Sequence, residues 1–374
     1  MKVPLCLPSI NETEISAVVE TLKSGWLAHG EYNNKFEKLF ADTIRVKHAI
    51  TMNSCTSALE IALKANRITG EVIIPSFTWC ATANAVVNSG AHPIFCDVDE
   101  GTRNVTAETI AKKITSNTEA IIVVHYAGQC CQMDDINKLC CDNNLLLIED
   151  SAETLGSTWK GEPAGSFGIG CFSFFPTKNI TTGEGGMFTT NDSAIADKAR
   201  MLISHGIPTS TLARESMSQP WHRESVIAGH NYRMPNPLAA LGYCQLQRLT
   251  ELNNKRIDLA KRYDAILGTK ELDVDIPYVA PHATHVYQMY TIQVDKHIRN
   301  DLVNFLRKNE IGASVHFDPP VHVQTAYNRR FSIDLPITTK LSETIITLPI
   351  YPDMTYEQQD FVLSSIEKFF EQEK

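Results

Sequence analysis

The chain has 374 residues, a formal net charge of −9, 43% hydrophobic and 21% charged residues, a balance that excludes disorder and suits one large domain with a smaller one appended. Lysine and arginine form no run, which excludes nucleic acid as a partner. No apolar stretch reaches the roughly 20 residues of a membrane span, and the segment before Asn11 is too short for a signal peptide, so a cytoplasmic protein is expected.

Ile15, Val18, Val19 and Leu22 fall at helical spacing, with Ser9 or Asn11 placed to cap the start and Gly25 to end it. This predicts an N-terminal amphipathic helix. Short apolar runs at 48–52, 72–75, 93–98, 120–125 and 145–150 then alternate with helical segments, the pattern of strands covered on both faces in an α/β domain with a mostly parallel sheet. Past Asn236 and Pro237 the spacing of Leu246, Leu249, Leu252 and Leu259 predicts one long helical stretch reaching Tyr263. A strand over 286–294 and a helix over 302–309 follow, as in a smaller α+β lobe. The expected division is residues 1–250 and 251–374. Ten cysteines read as free thiols, and the adjacent pairs Cys130-Cys131 and Cys140-Cys141 lack the gap of a zinc site, so no metal is expected.

Open α/β sheets bind ligands beyond the carboxyl ends of their strands, and four such junctions carry polar chemistry. Asn53-Ser54-Cys55-Thr56-Ser57 opens a helix, so it reads either as an anion site at the helix N-terminus or as a simple cap. Glu149-Asp150 ends an apolar run, where a carboxylate could hold a proton on a buried ring nitrogen or merely cap a helix. Trp79 follows the strand ending at Pro75 and could stack on a planar ring or lie in the core. Lys178 lies past the run from Cys171 to Phe175 and before Gly183-Glu184-Gly185-Gly186. A lysine is ordinarily a solvated charge, but at a glycine-rich turn behind a strand it suits Schiff-base chemistry. Anion cup, carboxylate, aromatic plate and lysine together are the contacts required by pyridoxal phosphate.

The segments Ser24-Gly25-Trp26-Leu27, Pro75-Ser76-Phe77-Thr78-Trp79, Ile148-Glu149-Asp150-Ser151-Ala152-Glu153, Thr177-Lys178-Asn179 with Gly183-Glu184-Gly185-Gly186, Asn231-Tyr232-Arg233-Met234 and Leu348-Pro349-Ile350-Tyr351-Pro352 resemble the sugar aminotransferases of the DegT/DnrJ/EryC1/StrS family along nearly the whole chain. The resemblance implies a fold-type I architecture, with a mostly parallel seven-stranded sheet and a smaller C-terminal α+β domain. It implies pyridoxal 5'-phosphate held covalently by Lys178, with Asp150 on the ring nitrogen and Trp79 stacked on the ring. The phosphate would be bound by the Cys55 and Thr56 N–H groups, by Ser173, and by Asn231 from the second subunit of a homodimer. Cys55 departs from the glycine usual at its place. Glu153 would lie near the cofactor hydroxyl and the sugar, while Trp26, Arg233, His316 and His322 are candidate substrate contacts. Glutamate is the implied amino donor and a nucleotide-linked keto-sugar the acceptor. The run 149–156, with Glu153, is similar to that of 4-aminotransferases of the perosamine or bacillosamine type, which act on a 4-keto-6-deoxy sugar for surface polysaccharide or glycan synthesis; enzymes acting at carbon 3 often carry glutamine there. A sensor that binds the cofactor without catalysis is the rival from another class, and retention of Lys178, Asp150 and Trp79 argues against it. A desulfurase using Cys55 is a further alternative.

Overall fold

The computed structural model describes residues 1–209, 212, 218, 219, 221–269, 272–327 and 333–373. Helix α1 (Glu12–Ser24) has the expected ends: the Asn11 side chain accepts the Thr13 N–H, Glu14 returns a bond to the Asn11 N–H at 2.7 Å, and Gly25 closes the helix at φ 74°. Its orientation is not the one the apolar spacing predicts. Ile15, Val19 and Leu22 are 46%, 38% and 54% exposed, whereas Glu14, Ala17 and Thr21 are buried. Glu14 decides this, because its Oε1 accepts from Gln245 Nε2 and Arg248 Nη1, both at 2.8 Å. A carboxylate with two such donors tolerates burial, and the helix rolls to bring it in.

After α2 (Glu31–Ile44) the chain enters a seven-stranded sheet. Its strands are β1 (His48–Met52), β2 (Glu71–Pro75), β3 (His92–Cys96), β4 (Thr118–Val124), β5 (Leu146–Asp150), β8 (Ile169–Ser173) and β9 (Gly186–Thr190), with a two-residue pair β6 (Thr158–Trp159) and β7 (Glu162–Pro163) outside it. The order is β1-β9-β8-β5-β4-β2-β3. All pairings from β3 to β8 are parallel, and only β9 runs against its neighbours. Helices α3 (Cys55–Ala65) and α4 (Cys80–Ser89) return the chain between parallel strands, as such connections require. Ile50, Ile74, Ile122 and Ile148 from four strands pack with Ala58, Leu59 and Ala62 of α3 in one buried cluster.

The long helical stretch expected after Pro237 is two helices, Asn236–Gln247 and Leu249–Leu267, separated at Arg248 with φ −97° and ψ 3°. Arg248 is held there by Glu14 and by Glu251. The second helix buries Leu249 and Leu252 with the aromatic cluster beside the sheet, and Leu259, Tyr263 and Leu267 in a separate core. A division between residues 250 and 251 therefore falls inside a continuous helix. The second core surrounds the antiparallel pair β10 (Tyr290–Gln293) and β11 (Ile345–Leu348), flanked by helices Lys296–Lys308 and Tyr356–Glu373. Its strand is shorter than the predicted 286–294 because Tyr287 takes a positive φ of 46° and Val286 bonds to Gly128 instead. Its helix starts six residues before Leu302, with Asp295 as the cap. Val3 also belongs to this core and bridges to Ile311, so the two ends of the chain meet there. Among the described residues no helix is long and apolar enough to cross a membrane.

Candidate active site

The carboxyl ends of β1, β2, β4, β5 and β8 open onto a cavity of about 430 Å³, roofed by residues of the second core. Cys55, Thr56, Trp79, Asp150, Glu153, Ser173, Lys178 and His316 all line it.

The floor is the start of α3. Ser54 caps the helix, its Oγ accepting the Ser57 N–H at 3.1 Å, which leaves the N–H groups of Cys55 and Thr56 without intrahelical partners at the cavity. Gly186 makes the close packing of this turn possible. A Cβ there would lie 2.3 Å from the Ser54 carbonyl carbon and 2.5 Å from the Cys55 nitrogen. The glycine run that the sequence marks as a place of close approach is thus where β9 passes beneath the helix start.

Strand alternation separates the two carboxylates ending β5. Glu149 turns away from the cavity and accepts from His125 Nε2 at 3.0 Å and from the N–H groups of Gly165, Phe167 and Gly168 at 2.8 Å each. Asp150 turns toward it. Its Oδ2 accepts the Thr82 hydroxyl at 2.9 Å, and its Oδ1 the Ala152 N–H at 3.3 Å and the Cys55 thiol at 3.7 Å. Burial raises the Asp150 carboxyl above the usual range, and the Thr82 and Ala152 bonds pull it back down. Burial, reinforced by Asp150, pushes the Cys55 thiol well above its ordinary value. Cys55 is accordingly a protonated donor to Asp150 and lacks the thiolate that a desulfurase nucleophile needs.

Lys178 follows β8, and its Nζ lies 3.2 Å from Glu153 Oε1. The other oxygen of Glu153 accepts the Ala127 N–H at 2.8 Å. Trp79, 63% exposed, stands at the start of α4 with its indole tilted 45° against Phe317. Ser173 Oγ accepts the Phe175 N–H at 3.4 Å. His316 bonds through Nδ1 to Thr347 Oγ1 at 2.8 Å, and its carbonyl accepts the Tyr126 hydroxyl at 2.7 Å. Burial lowers the His316 imidazole below its usual pKa, which favours the neutral ring.

Three expected substrate contacts, Trp26, His322 and Arg233, are not brought to this cavity, and Asn231, expected from the second subunit, does not reach the cavity of its own chain. Trp26 donates from Nε1 to His29 O at 3.1 Å and packs over Gly30. His322 is buried with its Nδ1 2.6 Å from Ser76 Oγ, serving the end of β2. Asn231 is exposed beside Ser204, and Arg233 bonds to Ser204 Oγ at 3.0 Å. Conversely, the sequence reading missed Thr82. Its spacing of three residues from Trp79, on the same helical turn, is the signal that could have found it.

The profile of one protein family spans residues 8–367 of this chain. The chain belongs to the DegT/DnrJ/EryC1/StrS aminotransferase family. It is 37% identical to the spore coat polysaccharide biosynthesis protein SpsC of Bacillus subtilis, over 97% of this chain and 96% of that protein. Among solved structures it resembles the aminotransferase TlmJ from Streptoalloteichus hindustanus, with a TM-score of 0.93 and 28% identity over all of both chains. It also resembles Helicobacter pylori PseC, an aminotransferase involved in the biosynthesis of pseudoaminic acid, with a TM-score of 0.92 and 28% identity, again over all of both chains. As a member of the DegT/DnrJ/EryC1/StrS family the protein is a sugar aminotransferase dependent on pyridoxal 5'-phosphate. The donor set fits that cofactor: free N–H groups at a helix start for the phosphate, a buried carboxylate for a protonated ring nitrogen, and an indole and a lysine amine lining the same cavity.

Proposed function

We propose that this aminotransferase moves the amino group of glutamate to carbon 4 of a nucleotide-linked 4-keto-6-deoxy sugar, giving a product of the perosamine or bacillosamine type for surface polysaccharide or glycan synthesis. The observation that carries this reading is the 3.2 Å contact between Lys178 Nζ and Glu153 Oε1 inside the cavity. When bound, pyridoxal phosphate supplies an electron sink for the carbon that gains or loses the amino group. Lys178 would hold the cofactor, and its amine is the group placed to accept and return a proton. Asp150, kept in place by Thr82, holds the proton on the ring nitrogen. Glu153 receives the Lys178 ammonium and presents an acceptor to a sugar hydroxyl, a pattern that glutamine would alter by adding a donor. His316, neutral and anchored on Thr347, offers its remaining ring nitrogen to the sugar. The first turn of α3 and Ser173 bind the phosphate. The protein works as a homodimer, with the partner subunit's Asn231 completing each phosphate site.

Incubation with glutamate and a panel of nucleotide keto-sugars, followed by mass spectrometry and nuclear magnetic resonance, tests the assignment. The expected product carries nitrogen at carbon 4. Nitrogen at carbon 3 refutes the regiochemistry, and borohydride fixing the cofactor to any residue other than Lys178 refutes the site.

A further inference from the structure

The three residues centred on Lys178 are gripped from outside the sheet. Thr177 O accepts Gln288 Nε2 at 2.9 Å, Lys178 O accepts Arg256 Nη2 at 3.4 Å, and the Asn179 side chain donates to Asn253 Oδ1 at 2.8 Å. Asn253 and Arg256 stand three residues apart on the helix Leu249–Leu267 and so share a face. Asn253 Nδ2 also donates to Leu155 O at 2.9 Å, two residues past Glu153. Arg256 Nη1 donates to Ile350 O at 3.0 Å, on the cavity wall contributed by the second core. One helix face therefore connects the Lys178 turn, the Glu153 loop and the roof.

Arg256 is an expensive residue for a structural tie. It is among the largest fully buried side chains, yet among the described residues it forms no salt bridge with a carboxylate; it donates to the main-chain carbonyls of Ile350 and Lys178, with the Cys6 thiol beside it and Nε unpaired. A desolvated guanidinium without a counter-ion opposes stability. Its two-pronged fork is, however, suited to hold two carbonyls at a fixed separation.

We propose that Arg256, together with Asn253, is a positioning residue that sets the place of the Lys178 amine relative to Glu153. This rests on the role given to Lys178 above. A lysine that must accept and return a proton gains from a fixed main chain, and a misplacement of about 1 Å in such a site costs on the order of 100-fold in rate.

The test uses the cofactor-loaded enzyme with Arg256→Gln and Asn253→Ala. Measurements are the pH midpoint of the visible absorption of the lysine-linked cofactor, the rate of borohydride trapping, and kcat and KM for both substrates. For Arg256→Gln we expect a displaced midpoint and kcat lowered 10- to 100-fold, with KM for the nucleotide sugar within about twofold. Asn253→Ala is expected to shift the midpoint in the same direction by less. A folded, loaded Arg256→Gln enzyme with unchanged midpoint and kcat overturns the proposal. If Arg256→Gln does not fold, Asn253→Ala decides by the same criteria, and collapse of both marks a purely structural role. Failure of the underlying reading is separate, since it appears in the unaltered protein as cofactor trapped somewhere other than Lys178.

Discussion

Lys178 and Glu153 meet at 3.2 Å although one follows β8 and the other β5, and Glu153 is tied at its second oxygen to the Ala127 N–H at 2.8 Å, just past β4. Three adjacent strands thus converge on one ion pair. The carboxylate is fixed from the side away from the amine, so it orients Lys178 and is not merely drawn to it.

Replacing Glu153 by glutamine keeps the shape and removes the charge. With the amine no longer paired, kcat/KM should fall about 10-fold, equivalent to roughly 1.4 kcal/mol. Steady-state kinetics with the accepted sugar would show it. An unchanged value would mean that the pair has no part in turnover.

Asp150 sets function against stability. Its folded-state pKa is raised by burial, so the folded protein binds the proton more tightly than the unfolded chain. Stability contributed by this group is present below the unfolded carboxylate value of about 3.9 and is lost as pH rises through the higher folded value. Cofactor-free Asp150→Asn should therefore unfold at higher urea than the cofactor-free parent at pH 8, by about 1 kcal/mol, with no gain at pH 3. The same variant should lose transamination, because a neutral amide cannot stabilise a protonated ring nitrogen. Equal urea midpoints at pH 8 would contradict the burial argument.

The two histidines of the segment 316–322 should separate cleanly. His316 lines the cavity, and His316→Ala should raise KM for the nucleotide sugar several-fold while thermal stability changes little. His322 is buried against Ser76, and His322→Ala should lower stability by about 1–3 kcal/mol while the KM for sugar stays near that of the parent. Calorimetry and kinetics on the pair check this, and the reverse pattern would exchange their roles.

Asn231 does not reach the cavity of its own chain, which makes a complementation test informative. Lys178→Ala and Asn231→Ala homodimers should each be impaired. Mixed and reassembled, a fraction of the dimers should regain one site with both residues intact, and activity should rise above either parent preparation. No recovery on mixing would place Asn231 outside the active site.

What the sequence determined by itself was the set of elements and the chemical kit. Apolar runs bounded by polar turns marked β1 to β5 to within a few residues, and the Asn11 cap and Gly25 stop marked α1, because capping and periodicity act over one turn or one strand. The candidates Lys178 and Asp150 were visible because their positions at or after apolar runs follow from local pattern, whereas Glu153 came only from the family resemblance. The roll of α1, the break at Arg248, the absence of His322 from the cavity and the settings of Asp150 and the Lys178 main chain were decided by tertiary structure. Each turns on a buried polar group finding a partner far along the chain: Glu14 with Gln245 and Arg248, His322 with Ser76, Asp150 with Thr82, and Lys178 with Arg256. Local propensity carries no record of such partners. Burying a polar atom unpaired costs about 1–3 kcal/mol, more than most helical preferences, so the long-range pairing prevails.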